Sequence, residues 1–279
     1  LMNVSDNTMF TPWTFTKSLA AFLPDWEHTP ERAKTALRRM LQNWNYPSSS
    51  GTINMRLYLY TAGYLASQYF PGFRDSADPP DPAYAADYRP KNVTEIRSHS
   101  AEELQTYCRR QIYECFDAFV RENAIEHSRV YFLADIESIK MLADFARDAE
   151  MRRRATLVLD YFLLNLATDV NLGFVVEPEF REKTFPLGDT GDRMSSSDGI
   201  AWLHFGPNEP GRKPGRLPLV FAMPGYCMPP VFEAIAHDRD GVRTKREASS
   251  MGLGNVTCKT VFHAPRYSLV SGVNTYAGA

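Results

Sequence analysis

Residues 129–173 read RVYFLADIESIKMLADFARDAEMRRRATLVLDYFLLNLATDVNLG, and this segment carries the strongest indication of the fold. Apolar side chains recur at intervals of three and four on both sides of a short polar break near Asp148, which is typical of two amphipathic helices. The Asp148 carboxylate can cap the second helix by accepting hydrogen bonds from the free amides of its first turn. The stretch therefore predicts an antiparallel helical hairpin, the repeating unit of an (α/α) toroid.

Three segments upstream show the same helical period. The first follows Thr-Pro-Glu at 29–31, where Thr29 is predicted to be the N-cap and Pro30 the first helical residue. The second spans about 53 to 70 and stops before a Pro-Gly pair. The third follows Ser100, which forms a capping box with Glu103, and is predicted to run to about residue 122. Helices of similar length with short turns favour antiparallel hairpins over a βαβ fold.

The composition changes after residue 170, where glycine and proline become frequent. Short β-prone runs are predicted at 200–205, 217–223 and 256–262, and one helix is predicted at 229–238. We therefore predict a mainly α protein. Its (α/α) toroid-like helical hairpins occupy residues 1–170. A loop-rich, β-containing C-terminal extension, residues 171–279, packs on the same domain.

Charge and apolar patterning exclude several classes of function. The 31 Lys and Arg residues against 33 Asp and Glu residues give a net charge of −2, which provides no basic field for bulk nucleic-acid binding. No apolar run reaches the ~18 residues of a membrane helix, so no membrane span is expected. The histidines lack zinc-site spacing, and we expect no cofactor. Asn3, Asn92 and Asn255 lie in N-x-S/T triplets, which favours a secreted or periplasmic protein.

An ordered series of short segments resembles a group of uncharacterised (α/α)-toroid proteins. These proteins are themselves similar to the helical domain of heparinase II/III-like and alginate-lyase-like polysaccharide lyases. The series covers about residues 50–270, most of the chain. Its segments are, in chain order, Asn54 with 62–68 (AGYLASQ), 128–131 (SRVY) with Asp135, 142–148 (LADFARD), 155–167, Gly173 with Arg181, Tyr226 with 229–230 (PP), 235–239, and 267–269 (YSL).

The sequence departs from this group at defined positions. The group carries an acid, an Asn and a His ahead of the 62–68 segment, where this chain has Ile53, Asn54 and Met55, so only the Asn is retained. An aromatic residue usually lies two positions after the retained Arg181, and here that residue is Lys183. Relatives continue into a β-sandwich, of which the C-terminal strands form at most the beginning.

The resemblance implies a polysaccharide lyase that cleaves a uronate-containing glycan by β-elimination. Such an enzyme neutralises the uronate carboxylate, removes the C5 proton with a base, and protonates the departing oxygen. The expected partner is thus a polysaccharide or oligosaccharide substrate. The candidates are His127 or Tyr131 as the base, Tyr131 or Tyr226 as the acid, Asn54 and Arg181 as neutralising groups, and Glu126 and Asp135 as further substrate contacts.

Two alternatives stay open. A glycoside hydrolase on the same scaffold would need two carboxylates on opposite sides of a sugar, and Glu126, Asp135, Glu137 and Glu177 are candidates. Asp135 and Glu137 are two positions apart on a helix and cannot share one face, so a pair would come from different helices. The other alternative is a non-catalytic helical protein that binds glycans or another protein.

Each candidate also has an ordinary structural explanation. A solvated linker residue is the ordinary explanation of His127, a core tyrosine that of Tyr131, and a helix cap that of Asn54. Arg181 could be a surface ion-pair partner of a neighbouring glutamate. Exposure on a helix surface is the ordinary explanation of the four carboxylates.

Overall fold

The chain is mainly helical, with a small antiparallel sheet at its C-terminal end. The structure is a computed structural model, and it describes residues 11–48, 52–77, 97–125, 131–176, 196–206, 219–223, 225–250 and 256–274. Its helices are α1 Thr11–Phe22, α2 Glu31–Gln42, α3 Ile53–Tyr69, α4 Ala101–Glu122, α5 Tyr131–Phe145, α6 Ala149–Asp169, α7 Ser196–Phe205 and α8 Pro230–His237. Its strands are β1 Val170–Asn171, β2 Phe174–Val175, β3 Arg243–Ser250, β4 Val256–Ala264 and β5 Tyr267–Asn274.

The chain divides into two compact units that share its long helices. Unit 1 comprises Leu1–Cys115 with Met141–Arg154, and unit 2 comprises Phe116–Lys140 with Ala155–Ala279. Each unit therefore draws on segments from both sides of the central hairpin. The predicted domain boundary near residue 170 stays a prediction.

In unit 1, α3 is the central helix, and its residues are buried almost all round. It runs antiparallel to α4: the Arg56 guanidinium donates to the Gln111 side chain at 3.0 Å, and the Tyr60 and Tyr107 rings lie 5.8 Å apart. Most of the α3 side chains are uncharged because neighbouring segments cover nearly all of the helix surface.

The buried Tyr46 ring packs closely against α3 at Gly63. A Cβ added at Gly63 would lie 2.7 Å from the Tyr46 Cδ1 atom, and Tyr46 has no exposed surface. Its hydroxyl also donates to the Leu41 carbonyl at 2.9 Å, so the ring is fixed at both ends. Glycine is therefore required here for a close approach rather than for its backbone freedom.

We expect Gly63→Ala to lower the free energy of unfolding by about 1–3 kcal/mol, because overpacking outweighs the higher helix propensity of alanine. Urea unfolding measures the loss. In a Tyr46→Leu background the same change should cost less, since the opposing ring is gone. An equal cost in both backgrounds would show that the ring contact is not the cause.

Local signals predicted two helix starts correctly. The Ser100 amide donates to the Glu103 carboxylate at 2.8 Å and the Glu103 amide to the Ser100 hydroxyl at 3.3 Å, which is the predicted capping box. The Asp148 carboxylate accepts the Glu150 amide at 2.8 Å, which confirms it as the cap of α6. Thr29 is not the N-cap of α2: its hydroxyl donates backward to the Asp25 carbonyl at 2.9 Å, and that hydrogen bond competes with capping.

The predicted hairpin of residues 129–173 is confirmed as α5 and α6, joined by a three-residue corner between Phe145 and Ala149. Within unit 2 the Phe132 and Phe162 rings lie 5.5 Å apart, and these residues lie equally far from the corner on the two helices. That pairing requires an antiparallel arrangement. Phe119 of α4 meets the same Phe162 ring edge-on at 5.0 Å, so α4 also packs on α6.

The C-terminal sheet is a meander in the order β3-β4-β5. The predicted strand at 256–262 is confirmed as β4, and the predicted helix at 229–238 is confirmed as α8. The predicted strand at 200–205 is wrong: these residues end helix α7, where Ile200, Ala201 and Phe205 share a buried face at helical spacing. The predicted strand at 217–223 is also wrong, since Leu219–Ala222 is a short 3-10 helix.

Candidate functional site

Four candidate site residues lie outside the described residues: Glu126, His127, Glu177 and Arg181. Tyr131 is the first residue of α5, and only its backbone position is described. The roles of these five residues stay predictions. The surroundings of the other candidates are defined by the structure; these are Asn54, Asp135, Glu137 and Tyr226.

Asn54 lies in unit 1 at the second position of α3 and is 1% exposed. Its side-chain oxygen accepts hydrogen bonds from the Met55 amide at 2.7 Å and from the Thr52 hydroxyl. A side-chain oxygen here compensates an amide that the start of a helix leaves without a carbonyl partner. Asn54 therefore stabilises the start of α3 from within the helix, whose N-cap residue is Thr52.

Asp135 lies on α5 in unit 2, within a run of buried polar residues. Asp135, Glu137 and Lys140 are at most 1% exposed, and Ser138 between them has no exposed surface. The ordinary explanation of Asp135 and Glu137, that their carboxylates are exposed on a helix surface, is therefore wrong. α5 is covered all round at this level, so residues on opposite faces are buried together. Burial of ionised groups is costly unless other polar groups surround them.

The ammonium group of Lys140 lies at the end of the 3-10 helix Leu219–Ala222. Its Nζ donates to the Met223 carbonyl at 3.4 Å, and it lies close enough to His204 to influence the charge of that imidazole. The His204 ring meets Phe221 edge-on at 5.4 Å, and its Nε2 is buried without a hydrogen-bond partner in the described part of the chain. Burial, reinforced by Lys140, lowers the pKa of His204 to about 4, so the ring is neutral at neutral pH.

We expect His204 to destabilise the fold in acid. Its unfolded pKa is about 6.5, so between that pH and about 4 the unfolded state binds a proton that the folded state does not. The free energy of unfolding should thus fall by about 2–3 kcal/mol as the pH decreases through this window. Urea unfolding across this pH window should show a smaller decrease in the free energy of unfolding for His204→Gln than for the unmodified protein. Parallel profiles for the two proteins would contradict this.

Tyr226 lies ahead of α8 in unit 2, and its hydroxyl donates to the Asp160 carboxylate of α6 at 2.5 Å. Both side chains are partly exposed. Burial and the neighbouring carboxylate raise the pKa of Tyr226 well above its usual range, so the phenol keeps its proton. A protonated, partly exposed hydroxyl can give up a proton to a strongly basic oxygen, such as a departing alkoxide.

Four charged residues form a buried network between α6 and the sheet in unit 2. The Lys259 ammonium, with no exposed side-chain surface, lies 2.6 Å from Asp169 and 3.0 Å from Glu247. Lys245 contacts the same two carboxylates at 3.0 and 3.1 Å, but 20% of its side chain is exposed. Two cations and two anions alternate, so the network is electrically balanced without water.

Neutral side chains complete the surroundings of Glu247. The Asn123 and Asn165 side-chain amides donate to the Glu247 carboxylate at 2.6 and 2.8 Å, and the Tyr161 hydroxyl donates to Asn123 at 2.8 Å. Tyr161, Asn165 and Asp169 are four residues apart and lie along one face of α6. This face orients the helix that carries Asp160.

Sequence reasoning missed this network for a specific reason. The inward positions of β3 are Lys245, Glu247 and Ser249 rather than apolar residues, so β3 lacks the alternation that marks a half-buried strand. The sequence did contain one signal of the network: Lys245 and Glu247, at neighbouring inward positions of β3, carry opposite charges. Its meaning depends on partners on α6 and β4, which are distant in sequence.

The described residues contain no group of three or more His, Cys, Asp or Glu side chains that could hold a metal ion. Cys108 and Cys115 are buried, Cys227 and Cys258 are exposed, and no disulfide joins any of these four described residues. Among the helices that the structure describes, none combines the length and apolarity needed to cross a membrane.

Comparison of the chain with protein-family models, with curated proteins and with solved structures gives no match.

Proposed function

We propose that the protein is a polysaccharide lyase that cleaves a uronate-containing glycan by β-elimination on an (α/α) toroid-like scaffold. The observation that carries the proposal is the Tyr226–Asp160 pair, a protonated phenol held at 2.5 Å by a carboxylate on a long hairpin helix. The confirmed α5–α6 hairpin and the ordered resemblance to lyase-like toroid proteins support the same class of enzyme.

In this proposal Tyr226 is the general acid. Elimination breaks the bond between C4 and the glycosidic oxygen, and that oxygen keeps the bonding electrons and takes a proton as it leaves. The Tyr226 hydroxyl has one proton, which it donates to Asp160 in this structure, so in this proposal the hydroxyl turns from Asp160 to the glycosidic oxygen when substrate binds. Until then Asp160 keeps the phenol protonated, and the loss of this hydrogen bond removes one of the causes that raise the pKa of Tyr226.

The remaining steps of the elimination are assigned to residues that the resemblance to lyase-like toroid proteins suggests. His127 or Tyr131 removes the C5 proton, and Arg181 neutralises the uronate carboxylate so that the developing enolate is stabilised. Glu126 contacts the sugar hydroxyls. Asp135, which is fully buried, supports α5 from inside rather than touching the polymer.

The proposal is tested with a panel of uronic-acid polysaccharides that differ in backbone sugar and linkage. A lyase generates a conjugated double bond, so ultraviolet absorbance should rise in step with new reducing ends for at least one polymer. New reducing ends without this absorbance would replace the proposal with hydrolysis of a glycosidic bond.

A non-catalytic glycan-binding or protein-binding protein is the second candidate, and Asn54 favours it. The position where the similar proteins keep an acid, an Asn and a His retains only this Asn, and its oxygen is used within the helix start. Saturable binding of a polymer, with neither absorbance nor new ends, would support this candidate.

A further inference from the structure

The corner between α5 and α6 in unit 1 carries a concentration of arginines. Four of the eight residues 147–154 are arginine, and α4 supplies Arg109, which lies 3.8 Å from Asp148 at the corner. Together the segments 107–114 and 144–154 hold six arginines and four acids, an excess of two positive charges. Because the whole chain has a net charge of −2, the rest of it carries −4. The corner is therefore a positive surface on an acidic protein.

Two of these arginines, Arg147 and Arg152, form no ion pair in the part of the chain that the structure describes. The Arg147 guanidinium donates through Nη1 to the Gln68 carbonyl at 2.8 Å. Arg152 also donates through Nη1, to the Ala146 carbonyl at 2.6 Å and to the Arg147 carbonyl at 3.0 Å. All of these acceptors are neutral, so no contacting carboxylate balances either positive charge.

The remaining donors of Arg147 and Arg152 form the edge of a guanidinium that binds carboxylates. In each group Nε and Nη2 lie side by side as a fork, and neither nitrogen has an acceptor among the described residues. Arg153 shows what such a fork binds, because its Nε and Nη2 donate to the two oxygens of Glu150 at 2.8 and 2.9 Å. Arg147 and Arg152 are both exposed, so an external carboxylate can bind in the same way.

Backbone contacts hold both forks at one corner. The Arg147 amide donates to the Gln68 side-chain oxygen at 2.9 Å, and its guanidinium donates to the carbonyl of the same residue. The two carbonyls that accept from Arg152 belong to the three residues that follow the end of α5 and to no flexible side chain. A guanidinium that is already fixed loses less conformational freedom when it binds an anion.

We propose that this corner binds an acidic polysaccharide, with uronate carboxylates in the Arg147 and Arg152 forks. The identity of the ligand rests on the proposed function, but the binding itself requires no cleavage. The corner belongs to unit 1, whereas Tyr226 and Asp160 belong to unit 2, so neither member of the proposed acid pair contributes to it. The corner thus provides a second contact for the polymer.

A nucleic acid matches this surface less well than an acidic glycan. Its affinity comes from many phosphate contacts along a dense line of charge, whereas the corner offers two arginines without ion pairs. The charge of −4 on the rest of the chain also repels a densely charged polymer more than a glycan whose charges are one carboxylate per uronate. The carboxylates of a glycan are therefore the favoured ligand.

The test is isothermal titration of the full chain with polygalacturonate at low salt. The double variant Arg147→Gln, Arg152→Gln should bind about tenfold more weakly, because two exposed charge-assisted contacts are lost. The control Arg121→Gln, Arg246→Gln removes two exposed arginines from unit 2 and should bind within about twofold of the unmodified protein. Methyl-esterified polygalacturonate has no carboxylate charge and should not bind.

A second double variant, Arg147→Lys with Arg152→Lys, keeps both charges but neither fork, and it should still bind several-fold more weakly than the unmodified protein. Circular dichroism of each variant checks that the helices are retained.

Four results would overturn the proposal. They are no binding of polygalacturonate, equal affinities of the glutamine pair and the control pair, full affinity of the lysine pair, and tighter binding of double-stranded DNA than of polygalacturonate. Failure of the lyase assignment is recognised separately, because ultraviolet absorbance of the same samples reports cleavage whether or not the corner binds the polymer.

Discussion

Replacing Tyr226 by Phe is expected to lower the rate of β-elimination by about 10²–10⁴-fold, the range for loss of a positioned general acid. The departing oxygen would then leave without a proton donor. Because Tyr226 and Asp160 are both partly exposed, water can solvate the released carboxylate, and the free energy of unfolding should change by only about 1 kcal/mol. The measurements are initial rates of double-bond formation and urea unfolding of the same preparation.

Tyr69→Phe is the matched control for that variant. It also removes the hydroxyl of a partly exposed tyrosine, which donates to the Phe145 carbonyl at 2.9 Å in unit 1, outside the network that positions Asp160. Its rate should stay within a few-fold of that of the unmodified protein. If both variants, or neither, lose activity, Tyr226 is not the specific proton donor.

Replacing Lys259 by Met should lower the free energy of unfolding by about 3–5 kcal/mol, the typical cost of removing one partner from a buried ion pair. Of the two network cations, Lys245, which is partly exposed, would remain beside Asp169 and Glu247, and the two carboxylate charges would stay in the interior. Methionine fills most of the volume, so the loss is electrostatic rather than a cavity effect. Urea unfolding at neutral pH measures it.

Lys245→Met tests the same network from its exposed side. It removes an ammonium group that contacts the same two carboxylates, but 20% of its side chain is exposed and Lys259 would remain between the acids. We expect a loss of about 1 kcal/mol or less. Equal losses for the two variants would contradict the assignment of Lys259 as the central cation of the network.

The network and the proposed acid are connected through α6. Asp160 precedes Tyr161, and the face formed by Tyr161, Asn165 and Asp169 is bound to the sheet network through Asn123, Lys245 and Lys259. Any shift of this face would move the Asp160 carboxylate that holds the Tyr226 hydroxyl. The charged network is therefore a positioning element for the proposed acid.

The parts of the fold that depend on local chemistry were predictable from the sequence. The capping box at Ser100 and the cap at Asp148 act within one helical turn, and the α5–α6 hairpin follows from its apolar period. Thr29 failed as a cap because a local competitor, the Asp25 carbonyl, takes its hydroxyl.

The parts that depend on distant partners were not predictable. Burial of Asp135 follows from neighbours on every side of α5, which periodicity along one helix does not reveal. β3 was missed because its inward side chains are charged and are balanced by groups on α6 and β4. The contact between Tyr226 and Asp160 joins residues 66 positions apart. The sequence therefore indicated Tyr226 as a candidate but could not indicate Asp160 as its partner.

The most direct measurement is mass spectrometry of the products that the protein releases from a uronate-containing polysaccharide. Because β-elimination adds no water, each cleavage should yield one product with an unsaturated end that is lighter by one water molecule than the corresponding hydrolysis product, and this product should be lost in Tyr226→Phe. Saturated products that have gained one water molecule for each broken bond would show hydrolysis and would rule out β-elimination.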